Sequence, residues 1–204
     1  MKQIIPAFFL SLILFSCGGK TSRSGIPKKE CIGLNDEGAK YLMQPSFGGS
    51  NETDTAITFF KQAISCDSNY IVAYLNLANA YDHKHDFKSE MLTYDKILLL
   101  TNNDPVLTLQ KGILFEKLGE VDSAKSTYSL SAAGFQKRLS LSPDNFEALK
   151  GSVYLKALTV SKDAAIEELN GQIIAHPNIA GKLNSERFFF EDFDRKEITG
   201  RAVY

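Results

Sequence analysis

The stretch Ala73-Tyr74-Leu75-Asn76-Leu77-Ala78-Asn79-Ala80-Tyr81 places Tyr74, Leu77, Ala78 and Tyr81 at i, i+3, i+4 and i+7. That spacing is one face of a helix. A break follows at Asp86, and Glu90, Tyr94 and Ile97 mark a second helical face. Adding 34 carries Ala78 to Gly112, Tyr81 to Phe115, Glu90 to Ala124, Tyr94 to Tyr128 and Ile97 to Ser131. Subtracting 34 from the second helix gives Ala56, Phe60 and Ala63. A small–aromatic–small pattern thus recurs at one period. Self-similarity of this length is the mark of a helical repeat array, in which each unit buries its apolar face on its neighbour.

The pattern resembles the tetratricopeptide repeat, two antiparallel helices with a period of 34 residues, and residues 73–81 lie close to that family's first-helix consensus. The resemblance implies an all-α, helical-hairpin solenoid of about four repeats, near 32–70, 71–104, 105–145 and 146–178. The first repeat is overlong, with an enlarged turn at residues 44–54 containing Pro45, Gly48, Gly49 and Asn51. Ala124 to Ala165 also exceeds the period, and nothing breaks a helix before Ser142, so the third repeat's second helix is expected to run to about Ser140. Pro143 and Pro177 bracket the fourth repeat. Residues 179–204 then read as a C-terminal cap, one helix from Asn184 to a stop at Gly200 with Phe189, Phe190 and Phe193 on one face. The other reading of these aromatics is an exposed surface for a partner or a second copy.

Ahead of the array, Lys2 and the apolar run 4–15 have the layout of a signal peptide. The segment ends Leu14-Phe15-Ser16-Cys17, which resembles the lipobox of bacterial lipoproteins. The resemblance implies cleavage after residue 16 and lipid attachment at Cys17, with acyl chains anchoring the chain durably. Residues 17–31 are polar and small, and read as a flexible tether. Its Lys20, Arg23, Lys28 and Lys29 either meet anionic headgroups or are simply solvated. Without these and Lys2 on the basic side, and Glu30 on the acidic side, the 23 basic and 24 acidic residues become 18 and 23, a body charge of -5. Such a balance offers no footprint for nucleic acid. No acidic cluster follows Cys17, and the expected location is the bacterial cell envelope, outer membrane, periplasmic face.

With Cys17 assigned to lipid, Cys31 and Cys66 remain. They fall at hairpin ends that an antiparallel pair brings together, so they form either a disulfide or two idle thiols. His83 and His85 flank Lys84, but positions i and i+2 point to different sides of a helix; no metal site and no cofactor are expected. The chain lacks a phosphate-binding glycine loop, a nucleophile elbow, a His-Glu zinc helix and a Cys-x-x-Cys. The expected class is therefore non-catalytic.

In tetratricopeptide arrays the first helices line a concave groove, and the resemblance places Val72, Leu75, Asn76, Asn79, Leu109, Gln110, Ile113 and Tyr154 there. An Asn side chain both donates and accepts, which suits a peptide backbone. One subfamily clamps a C-terminal carboxylate with Lys, Arg and Asn; here only Asn76 matches, with Asn35, Ala39, Val106 and Gln110 at the other positions, so no carboxylate clamp is expected, and Asn76 reads either as a ligand contact or as consensus packing. The expected function is binding of a protein or peptide partner near the membrane, as an accessory of envelope assembly or secretion. The alternative is a structural lipoprotein that dimerises through its terminal repeat or C-terminal aromatics.

Overall fold

A computed structural model of the chain describes residues 26–43 and 50–199. The signal segment, Cys17, Gly200 and residues 44–49 of the enlarged turn lie outside the described residues, and residues 50–54, expected in that turn, instead begin a helix. Among the described residues the regular structure is entirely helical. Eight main helices follow in order: α1 (Lys29–Met43), α2 (Ser50–Cys66), α3 (Ile71–His83), α4 (Phe87–Leu100), α5 (Pro105–Leu118), α6 (Val121–Leu141), α7 (Phe146–Thr159) and α8 (Lys162–Ala175). A 3-10 turn at Pro177–Ile179 leads into three short helices, α9 (Ala180–Ser185), α10 (Arg187–Glu191) and α11 (Arg195–Thr199). None of the described helices is long and apolar enough to cross a membrane.

The turns explain the segmentation. Asp86 accepts from the Ser89 N–H, Asp104 from those of Val106 and Leu107, Asn145 from Ala148 and Ser161 from Ala164. Each satisfies an orphan donor of a helix start, and Pro105 fits the first turn of α5. Gly119, at φ 87°, closes α5 in the left-handed region that glycine tolerates. No such punctuation occurs inside residues 121–141, so α6 continues for 21 residues.

The main helices pack in consecutive pairs, α1 on α2, α3 on α4, α5 on α6 and α7 on α8, and each pair leans on the next. Short connections make such neighbours antiparallel hairpins. The core is a row of clusters rather than one centre: Ala56, Phe60, Leu77 and Ala80; then Tyr74, Ala78, Tyr94, Ile97 and Leu114; then a large group built on Leu109, Tyr128, Phe135, Val153 and Leu169. Within it, glycines meet aromatic rings. A Cβ on Gly38 would come within 2.7 Å of the Phe60 ring and one on Gly112 within 2.5 Å of Tyr128; Gly151 faces Phe135 in the same way. The Tyr128 ring is held at its far end, where its hydroxyl donates to Glu116 Oε2 at 2.8 Å. Gly112→Ala is therefore expected to destabilise by about 1–3 kcal/mol although alanine favours helices by about 1 kcal/mol. Gly171, with nothing within 4 Å of its would-be Cβ, is the control: Gly171→Ala is expected to stabilise by about 0.5–1 kcal/mol. Urea titration of both variants checks the pair.

Two expectations change. The tether expected over residues 17–31 ends earlier, because α1 starts at Lys29, where Glu30 complements its N-terminal dipole, and Cys31 sits inside the helix, fully buried. The C-terminal cap is not one helix. Leu183 and Phe190, both fully buried, pack with α9 and α10 against α8, whereas Phe193 turns towards α7. The chain breaks at Asp192 and restarts at Asp194, whose carboxylate accepts from the Lys196 N–H at 2.8 Å.

Candidate functional site

The first helices of the hairpins, α1, α3, α5 and α7, form one side of the array; α1 touches α3 and α5 touches α7 directly. This face divides into two unequal halves.

Over α1 and α3 it is partly open. Val72, Leu75, Asn76 and Asn79 are half-buried. The Asn76 side chain donates to Oδ1 of Asn35 at 2.8 Å, and Asn35 is itself buried. Asn76 therefore ties α3 to α1, and the residue that resembled part of a carboxylate clamp is engaged within the fold. Asp82 at the end of α3 pairs with Lys117 of α5 at 2.7 Å.

Over α5 and α7 the face is closed. Leu109, Ile113 and Tyr154, expected in an open groove, are 2%, 3% and 6% exposed; Gln110 is half-buried. What remains between the helices is a crevice lined by Val106, Leu109, Gln110, Phe135, Glu147 and Tyr154 among others, with room for about one water. Leu109 packs beside Phe135 and Tyr154 where α5, α6 and α7 meet, and the C-terminal segment covers Tyr154 from outside. Phe189 and Phe193 each place a ring centroid 5.7 Å from that of Tyr154, Phe193 edge-on, a geometry favoured by the ring quadrupoles. The Arg195 guanidinium pairs with the buried Glu116 carboxylate of α5, and its Nε donates to the Leu158 carbonyl of α7 at 2.9 Å. Lys150 of α7 reaches Glu186 at 3.4 Å. Of the described C-terminal aromatics, Phe190 and Phe193 are buried and Phe189 is half-buried, so among them only Phe188 is broadly exposed. The surface expected for a second copy is largely spent inside the fold.

Behind the face, Glu90 of α4 is buried, with Oε2 lacking a hydrogen-bond partner. Burial, reinforced by the Asp82 charge and opposed by Lys117, pushes its carboxyl up to about 8. Burial likewise raises the Tyr94 hydroxyl, with Glu90 and Asp82 adding to the effect.

Cys31 and Cys66 are joined in a disulfide with Cα atoms 5.5 Å apart. His83 and His85 are exposed at the end of α3 and in the next turn; His176 contacts Asp144 at 2.7 Å through Nδ1. Among the described residues no three His, Cys, Asp or Glu side chains gather as metal ligands do.

Arg195 carries no signal in the repeat pattern: it meets Glu116 across a sequence separation of 79. Glu116 lies on the groove register but reads there as one scattered polar group.

No protein-family model matches the chain. It is similar to the uncharacterized protein ycf37 of Pyropia yezoensis, with 34% identity over 65 residues, a stretch covering 32% of this chain and 36% of that relative. The match thus spans about a third of the relative's length.

Proposed function

We propose that this chain is a lipid-anchored, non-catalytic lipoprotein of a bacterial envelope whose tetratricopeptide-like array binds a protein or peptide segment. The observation that carries the reading is the row of helical hairpins in which Gly38, Gly112 and Gly151 lie against aromatic rings, because close-packed hairpins of this kind align their first helices on one side, where a ligand can dock. The anchor rests on Leu14-Phe15-Ser16-Cys17, with Cys17 as the lipid attachment site on the periplasmic face of the outer membrane. An extended segment docks where the face is open, over α1 and α3, with Val72 and Leu75 as apolar contacts and Asn79 as a polar one. Accessory work in envelope assembly or secretion fits a binder held at a membrane.

In-cell crosslinking of the tagged chain tests this. The wild type is expected to capture a partner that Asn79→Arg loses at least tenfold, while Cys17→Ala moves the protein out of the membrane fraction. Ile113 is not a usable probe, since charge at a buried position would unfold the array. Capture unaffected by Asn79→Arg would remove the groove from the reading; recovery of Cys17→Ala in membranes would remove the anchor. Self-association through the exposed Phe188 is the second reading, and light scattering at rising concentration separates it: a monomer throughout excludes it.

A further inference from the structure

The C-terminal segment does two separable things. Residues 180–191 plug the open end of the array, filling it with Leu183 and Phe190. Residues 193–199 do not cap anything. They cross to α5, two hairpin helices away, and lie against Tyr154, Leu158 and Glu116 as an incoming peptide would. Their anchors are those of a bound ligand: one aromatic ring, Phe193, edge-on to Tyr154; one cation, Arg195, on the Glu116 carboxylate; and one donor, Arg195 Nε, on the Leu158 carbonyl. Asp194, Lys196 and Glu197 between and beyond them face solvent.

Glu116 is built to receive a cation. It is 5% exposed, and its other oxygen is already held by the Tyr128 hydroxyl, so its orientation does not depend on Arg195. A buried carboxylate of this kind is costly without a positive partner, and opening of the strap leaves it facing whatever comes next. The strap is poorly held as secondary structure. Its helix α11 has five residues, far below the roughly 12–15 that stand alone in water, so its retention depends on tertiary contacts: those named above, the burial of Thr199 and the packing of Ile198 on the core.

We propose that residues 193–199 are a displaceable occupant of the concave face over α5 and α7, and that the partner of this half carries an aromatic residue two positions before an arginine, as Phe193 and Arg195 do. The closed strap withholds this half, and the face over α1 and α3 stays open. Binding of such a partner and seating of the strap exclude each other, so the strap weakens partner affinity by the fraction of time it is closed. The inference rests on the proposed function only in taking the concave side as the docking side; its test uses the chain's own sequence and does not depend on any cellular partner being captured.

The probe is a dye-labelled synthetic peptide of residues 186–199, titrated into the full chain. Arg195→Glu places like charges at Glu116 and opens the strap. That variant is expected to bind the peptide at least tenfold more tightly than the wild type does, and to ignore a peptide in which the arginine is replaced by glutamate. Equal binding to variant and wild type, or no discrimination between the two peptides, overturns the proposal. If Arg195→Glu has lost its helical circular dichroism, hydrogen exchange of the wild type decides. Excess peptide should then accelerate exchange at residues 195–199 at least threefold while α5 and α7 stay protected; exchange unchanged by peptide overturns it.

Discussion

Reducing the Cys31–Cys66 bond, or replacing Cys66→Ser, is expected to lower the unfolding free energy by about 4 kcal/mol. The two cysteines are 35 positions apart, so the bond removes a long loop's worth of freedom from the unfolded chain. In the folded chain it joins the first turn of α1 to the last residue of α2. The location matters as much as the loop length. Among the described helices, α1 and α2 form the first hairpin, packed against a neighbouring hairpin on one side only, and α1 has 15 residues, a marginal length for an isolated helix. The loss should therefore be local: hydrogen exchange in α1 and α2 is expected to rise first under reducing conditions, with α5 to α8 following only at higher denaturant. Urea melts followed by circular dichroism, with and without reductant, measure the total. A change below about 1 kcal/mol would mean that burial of Cys31 beside Ala63, Tyr70 and Ala73, rather than the crosslink, holds the hairpin.

Glu90→Gln is expected to abolish a fall in stability that the wild type shows between about pH 5 and pH 8. In the folded chain the Glu90 carboxyl is pushed up to about 8, first by burial and then by Asp82, while Lys117 works against the shift. In the unfolded chain it titrates near the ordinary glutamate value of about 4.3. Below both values the group is protonated in both states and adds no pH dependence. Between them the unfolded state has released the proton and the folded state keeps it, so the folded state binds more protons and stability falls as pH rises. Above the folded value the full penalty is present. A shift of this size corresponds to about 5 kcal/mol at most, and residual solvent contact reduces it to about 2–4 kcal/mol. Glutamine keeps the shape and cannot ionise. Denaturant midpoints of wild type and variant at pH 5 and pH 8.5 give the answer: the variant should be flatter by that amount and more stable at the higher pH. Parallel profiles would mean that Glu90 finds a partner for Oε2 when ionised.

The burial of Glu90 was legible, because the period aligns it with Ala56 and Ala124, the small position of the neighbouring units. Its raised carboxyl was not, because that depends on Asp82 and Lys117, which the chain brings beside it from two other helices. Gly112 and Gly38 show the same division. Their register marks them as small, but the ring each one meets is known only once the helices are packed. By its place on α3, Asn76 fits both a ligand-facing group and helix packing, and only the packed helices supply its partner, Asn35 of α1.

The helices and their pairing follow from local chemistry that one sequence carries whole: apolar residues at helical spacing, side-chain caps at Asp86, Asp104, Asn145 and Ser161, and a recurrent small–aromatic pattern. Neighbouring hairpins interact over short sequence distances, so periodicity is enough to place them. The state of the face over α5 and α7 was decided in part by a contact of another kind. Phe193 and Arg195 leave the repeat and land on Tyr154, Leu158 and Glu116, and no period links positions 79 residues apart. In the sequence those aromatics fit a plain terminal helix equally well. Only the packed array, with α7 and α5 side by side beneath them, turns the end of the chain inward and closes half of the face that the repeats were expected to leave open.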